Sequence, residues 1–221
     1  MNRYGVVTFD GPAASGKSSV AQRVAQVVDL PVVSSGLLYR AATLVAERAS
    51  IDVDDAAAVM AVLAGHHVDL DPAPGGNRVT IDGDEVTEAL HTDEVDALVS
   101  AVARHDAVRD WVGERLRSIR PPFVIDGRDM GSVVFPDATH KFYLTASPEV
   151  RALRRVGERA ADLERVAAAI RRRDALDAKQ LRPASDAVRI DTDALSLDEV
   201  VTVVLDRLRG TPTVGSVGRD G

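Results

Sequence analysis

Short apolar runs alternate along the chain with stretches of helical periodicity. Gly5 to Phe9 is apolar apart from Thr8 and stops at Asp10, Gly11 and Pro12, the pattern of a buried strand. From Lys17 onward, Val20, Val24, Val27 and Val28 recur at helical spacing. Pro31 to Val33 is a second short strand, followed by Ser34, Ser35, Gly36 and a helix through Leu44 and Val45. Strand, glycine loop, helix, strand is a βαβ unit, which implies a parallel sheet. Phe123–Ile125, Phe142–Leu144 and Val188–Ile190 add three strands, each with a helical stretch after it. Near the end, Ser196 and Glu199 make a capping box ahead of an apolar face of Leu197, Val200, Val201, Val204, Leu205 and Leu208.

The pattern changes once. Val68 and Leu70 alternate with aspartates, Pro72 to Asn77 is rich in glycine and proline, and Val79 and Ile81 alternate again. Period-two runs around such a turn predict an antiparallel hairpin. The chain therefore reads as α/β, a three-layer fold with a central parallel five-stranded sheet. Its core domain covers 1–65 and 91–209, a small β insertion covers 66–90, and the tail 210–221 is expected to be disordered.

Composition narrows the function. Aromatic residues are only 4% of the chain, so the core must be mostly Val, Leu and Ala. Cysteine is absent, which excludes a disulfide scaffold and thiolate zinc sites and suits a reducing, cytoplasmic setting. No apolar run approaches the ~20 residues that cross a bilayer, and no apolar signal segment stands at the start. A net charge of −7 argues against nucleic acid as a partner. An acidic chain that handles phosphate must gather its cations locally. The segment from Arg151 to Arg173 does so, with Arg154, Arg155, Arg159, Arg165, Arg171 and Arg172 between its ends. Its arginines fall in two groups around an Ala-rich stretch. That predicts a helical hairpin over 146–176, held open by like charges.

Gly11 to Ser18 matches G-x-x-x-x-G-K-[ST], directly after a predicted strand and opening a helix. Such a loop turns its N–H groups inward around phosphates, and the helix beginning near Lys17 adds its N-terminal dipole. Lys17 is expected on the β- and γ-phosphates of a nucleoside triphosphate and the Ser18 hydroxyl on Mg²⁺. A guanine-reading N-K-x-D is absent. Ser35, Gly36, Tyr39 and Arg40 follow the second strand; Asp126, Gly127, Arg128, Asp129 and Gly131 follow the third. Both groups lie at the carboxyl edge of the sheet, beside the loop. An Arg at each of two strand ends suits bidentate grip on a phosphate. An Asp beside them reads donors on a base or sugar, or organises Mg²⁺.

At these residues the chain resembles bacterial-type cytidylate kinase, one of the P-loop nucleoside monophosphate kinases. The motifs that carry the resemblance are Asp10 to Ser18, Ser35-Gly36-x-x-Tyr39-Arg40, Asp126 to Asp137, and Arg173 to Asp177. It extends in order over residues 4–208. It implies an ATP-dependent, Mg²⁺-requiring kinase of CMP or dCMP, expected to be a monomer. By the same resemblance Gly11, Pro12, Ala13, Ala14, Ser15, Gly16, Lys17, Ser18 and Ser19 hold the ATP phosphates. Arg40 and Arg128 hold the acceptor phosphate. Ser35, Ser100, Arg109 and Asp129 surround the cytosine, and Arg173 and Asp177 hold the sugar. The Arg151–Arg173 stretch becomes a lid, with Lys17, Arg155 and Arg128 as the catalytic set.

In one place the chain departs from that pattern. Gln180 stands where an Arg is expected, leaving Lys179 or Arg182 to supply the charge. Asp126 ends an apolar strand and either reaches Mg²⁺ through water or bonds to the phosphate loop. His66 and His67 are adjacent on a strand and point to opposite faces, which disfavours a shared metal. Trp111, in a helical pattern, reads as packing. Two other functions compete. A kinase of UMP or of a small metabolite such as shikimate is disfavoured by the Asp126–Asp129 motif and the β insertion. A non-catalytic nucleotide switch would not need two strand-end arginines and a basic lid.

Overall fold

The computed structural model describes residues 4–73, 76–158 and 163–210. In chain order the strands are β1 (Val6–Asp10), β2 (Val32–Ser34), β3 (Val68–Ala73), β4 (Gly76–Ile81), β5 (Asp84–Glu85), β6 (Phe123–Asp126), β7 (His140–Thr145) and β8 (Val188–Asp191). The helices are α1 (Lys17–Val28), α2 (Gly36–Arg48), α3 (Ala56–Leu63), α4 (Asp93–Val102), α5 (Asp106–Ser118), α6 (Pro148–Glu158), α7 (Leu163–Leu176) and α8 (Leu197–Arg209). All five strands expected of the central sheet form, parallel, in the order β2-β6-β1-β7-β8.

Alternation along each strand decides what each face of the sheet covers. Phe123 and Ile125 enter one apolar cluster with Leu38, Leu63 and Leu116 of α2, α3 and α5. Val124, between them, enters the other with Val7, Phe9, Phe142 and Leu144, against Val20 and Val24 of α1 and Val204 and Leu208 of α8. Phe9 and Phe142 stack across β1 and β7 with centroids 5.2 Å apart.

Local details differ from the sequence pattern. In α1 the inward face is Val20, Ala21, Val24 and Ala25, while Val27 is half exposed. The capping box at Ser196 and Glu199 forms, but Leu197 lies in the first turn of α8 and stays exposed. After β6 comes one helical turn, Met130–Val134, rather than an α-helix. It lies so close to β1 that a Cβ on Gly131 would sit 2.7 Å from Thr8 Oγ1.

The predicted hairpin is β3–β4, with Val68 opposite Ile81 and Leu70 opposite Val79. A third strand, β5, joins it through a turn at Asp82 and Gly83, both at positive φ. Val68, Val79, Ile81 and Leu90 pack into the same cluster as α2, so the unit shares the core of the main sheet. Asn77 fastens it to the sheet edge: Nδ2 donates to Val32 O and Oδ1 accepts the Ser34 N–H, both at 2.9 Å. The expected glycine turn at 74–75 and the tail 211–221 lie outside the described residues.

Helices α6 and α7 form the expected hairpin, but two of its arginines are paired with acidic residues within it. Arg151, 3% exposed, forms an ion pair with Asp174, and Arg171 Nη1 lies 3.5 Å from Glu149 Oε1. Ala152, Ala167 and Ile170 pack between the helices. Opposite charges and a small apolar contact thus hold together what like charges were expected to separate. Arg159 and the start of the Ala-rich stretch lie outside the described residues.

Candidate active site

The phosphate loop is shaped by two glycines. Gly11 has φ +144°, and a Cβ there would lie 2.2 Å from the carbonyl oxygen of Leu144 on β7. Gly16, with φ +88°, caps α1 in the left-handed region. Lys17 is 8% exposed and donates from Nζ to Pro12 O at 3.0 Å, curling across the loop. Ser18 donates to Asp126 Oδ2 at 2.6 Å, which realises the loop-bonding alternative for that aspartate. The hydroxyl and carboxylate together form an all-oxygen pair, the donor type that suits Mg²⁺.

A cavity of about 210 Å³ opens between this loop and the ends of β2 and β6. Lys17, Ser18, Ser35, Tyr39, Arg40, Ser100, Arg109, Asp126, Arg128, Asp129 and Asp177 line it. Every residue expected around the acceptor is therefore present, save that the side chain of Arg173 lies outside the described residues. Ser100 and Arg109 belong to different helices, α4 and α5, which break at 103–105 and converge on the cavity.

The charged groups here are already held. Arg40 donates from Nη1 to Leu90 O at 2.7 Å and pairs with Asp96 at 2.5 Å. Arg128 Nε donates to Asp177 Oδ2 at 2.6 Å. Arg109 pairs with Asp129, and its Cζ lies 5.3 Å from the centre of the Tyr39 ring. Burial pushes the Tyr39 phenol well above its ordinary value, so it remains neutral. Asp129 is 4% exposed, and its Oδ1 has no hydrogen-bond partner among the described residues. The sequence marks Tyr39 only as part of the Ser35–Arg40 motif and gives no sign of Asp96. That aspartate meets Arg40 across 56 residues of chain, where no local pattern reaches.

A second cavity, about 450 Å³, lies on the other side of Lys17 and Ser18. Ala13, Ala14, Gly16, Ser19, Arg154 and Arg155 complete its lining. A third, about 320 Å³, runs from Ser15 and Arg154 to Thr192, Leu195 and Val200. Helix α6 is attached to the loop itself: Arg151 Nη1 donates to Ala13 O at 3.2 Å and Arg154 Nη1 to Ser15 O at 3.4 Å. Arg154 also donates to Thr192 Oγ1 at 3.0 Å and Thr192 O at 2.6 Å, while Arg155 is exposed at the cavity rim.

Neither candidate for the missing charge at Gln180 lines the acceptor cavity. Lys179 pairs with Asp106 at 3.0 Å, and Gln180 and Arg182 face a separate cavity behind Arg109. His66 and His67 pair separately, with Asp82 at 2.6 Å and Asp69 at 2.8 Å. Among the described residues no group of three or more His, Asp or Glu is placed to hold a metal. Trp111 is buried beneath Arg115, whose Cζ is 3.8 Å from the ring centre, as packing requires. No described helix is long and apolar enough to cross a membrane.

A phosphate loop on the central strand of this sheet, with one cavity on each side of its lysine, defines a P-loop kinase. The fold is shared with shikimate kinase from Acinetobacter baumannii, at TM-score 0.50 and 12% identity over 95% of both chains. It is shared likewise with a gluconokinase from Sinorhizobium meliloti, at TM-score 0.50 and 18% identity over 94% of this chain and 95% of that one. Within that class the chain belongs to the cytidylate kinase family, whose model matches residues 7–210. It is 55% identical to a cytidylate kinase of Thermus thermophilus over 205 residues, 93% of this chain and 99% of that protein. Against a cytidylate kinase of Deinococcus deserti the identity is 52% over 203 residues, 92% and 98% of the two chains.

Proposed function

We propose that this chain transfers the γ-phosphoryl group of ATP to CMP or dCMP, giving CDP or dCDP. The observation that carries this reading is the sharing of Lys17 and Ser18 by two cavities, in a member of the cytidylate kinase family. A donor phosphate in one and an acceptor phosphate in the other meet across the lysine. Gly11 to Ser19 cradle the donor. Arg40 and Arg128 grip the acceptor phosphate, Ser35, Ser100, Arg109 and Asp129 read the cytosine, and Arg173 and Asp177 hold the sugar.

The acceptor oxygen is already ionised at neutral pH, so the site needs no general base; positioning and charge neutralisation suffice. Lys17, Arg128 and Arg155 neutralise charge on the transferring group. Ser18, with Asp126 behind it, would hold Mg²⁺, which supplies charge neutralisation to the phosphates. The 66–90 insertion serves the acceptor side, and 146–176 is the lid that excludes water. We read the enzyme as a cytoplasmic monomer.

A panel of nucleoside monophosphates with ATP and Mg²⁺ tests the assignment. Rapid ADP formation with CMP or dCMP is the expected result. A faster reaction with UMP or AMP would reassign the acceptor, and ATP binding without turnover on any of them would favour a switch.

A further inference from the structure

The loop that carries Arg128 and Asp129 is pinned to β1 on both sides of those two residues. Ahead of them, the Gly127 N–H donates to Phe9 O at 2.9 Å. Behind them, the N–H groups of Met130 and Gly131 donate to the two carboxylate oxygens of Asp10, at 2.8 and 2.7 Å. Asp10 is 4% exposed, and the residue after it, Gly11, begins the phosphate loop. A single side chain therefore joins the acceptor loop to the base of the donor loop. The seat is tight: a Cβ on Gly127 would lie 2.7 Å from Ser35 Oγ, and one on Gly131 2.7 Å from Thr8 Oγ1.

Burial is the main influence that disfavours a charge at Asp10, and against the two donated N–H groups the carboxyl is pushed up to about 6. Asp10 lines neither the acceptor nor the donor cavity. Its ionised form is nevertheless the one that suits the loop, because only a carboxylate offers acceptors to both N–H groups at once.

We propose that Asp10 is a positioning residue whose carboxylate sets Arg128 and Asp129 in register with the phosphate loop, and so governs acceptor affinity without touching either nucleotide. The inference rests on the reading of this chain as a nucleoside monophosphate kinase. An amide at position 10 keeps the volume but turns one acceptor into a donor, which then opposes a backbone N–H.

The test measures KM for each substrate separately in wild type and Asp10→Asn. The acceptor is whichever monophosphate the wild type phosphorylates fastest, so failure with CMP indicts the function and not Asp10. The acceptor KM is expected to rise about tenfold, the scale of one lost charge-assisted hydrogen bond. The ATP KM should stay within about twofold. A second variant, Gly131→Ala, pushes the same loop off Thr8 with Asp10 intact and should give the same split; it serves also if Asp10→Asn does not fold. An equal rise in ATP KM would overturn the proposal, since Asp10 would then act on the donor loop. Unchanged KM values with lowered melting temperature would overturn it too, reducing Asp10 to a purely structural residue.

Discussion

Ser18 and Asp126 bring the first turn of α1 and the last residue of β6 into one hydrogen bond of 2.6 Å. The pair fixes the hydroxyl that would ligate Mg²⁺. Asp126→Asn should lower kcat by ~10²-fold and raise the Mg²⁺ concentration needed for half-maximal rate. A Mg²⁺ titration at saturating nucleotides checks this; an unchanged half-maximal concentration would confine Asp126 to holding the loop.

Lys17→Met should reduce kcat by ~10³-fold, the scale of one key electrostatic group at a transferring phosphate. The lysine is buried rather than exposed on its loop, and the methionine retains its apolar stem. Circular dichroism should therefore report a folded protein. Activity within tenfold of wild type would refute the phosphate-loop assignment.

Arg128→Met removes the bond to Asp177 and, on the proposed function, one grip on the acceptor phosphate. The acceptor KM should rise at least ~10-fold while the ATP KM stays nearly constant. A rise confined to ATP would exchange the two sides of the site.

The proposed lid is tied at its root by Arg151 and Arg154, whereas Arg155 stands exposed at the rim. Ligands that fill both cavities should therefore stabilise α6 and α7 more than either nucleotide does alone. Hydrogen exchange of 150–158 and 163–175, with and without a bisubstrate analogue and Mg²⁺, reads this directly. Equal protection by ATP alone would assign the lid to the donor side only.

The Asp10 carboxyl also predicts a pH dependence of stability. Desolvation raises it from 3.8 to about 6; the Gly131 and Met130 N–H groups and Lys17 oppose the rise, and Asp129 adds to it. Burial raises the phenol of Tyr143, beside it on β7, and the Asp10 charge adds to that rise. Between the two values the folded chain holds a proton that the unfolded chain has released. Stability contributed by Asp10 therefore increases as pH falls from 6 towards 4 and is lost as pH rises through 6. Relative to Asp10→Asn, wild type should gain about 2 kcal/mol between pH 7 and pH 4. Urea unfolding of both proteins at the two pH values gives the difference; a constant difference would mean an ordinary carboxylate.

What the sequence revealed followed from local constraint. The phosphate loop was legible because Gly11 and Gly16 answer to backbone geometry, and the five strands because each carries a short apolar run bounded by polar or turn residues. Among the residues that line the acceptor cavity, Arg40 and Arg128 were legible from their places at strand ends, whereas Ser100 and Arg109 came only from the family resemblance, since they come together through the break between α4 and α5, which no periodicity announced. Partners were the least legible. Arg40 with Asp96, Arg128 with Asp177 and Asp10 with the 130–131 backbone all meet across long stretches of chain. The charge balance of the α6–α7 hairpin was hidden for the same reason: its arginines are conspicuous in order, but Glu149 and Asp174 neutralise two of them only once the helices pack.

The amide of Asn77 bears on how copies of this protein meet one another in concentrated solution. Strand β2 ends the sheet, and an open strand edge invites a neighbouring molecule to continue the ladder. With three residues, β2 turns the Val32 carbonyl and the Ser34 N–H away from β6, and Asn77 occupies both. Its side chain imitates one peptide group of an absent sixth strand. At that margin two ladder groups of the sheet edge are withheld from a neighbouring strand by one side chain.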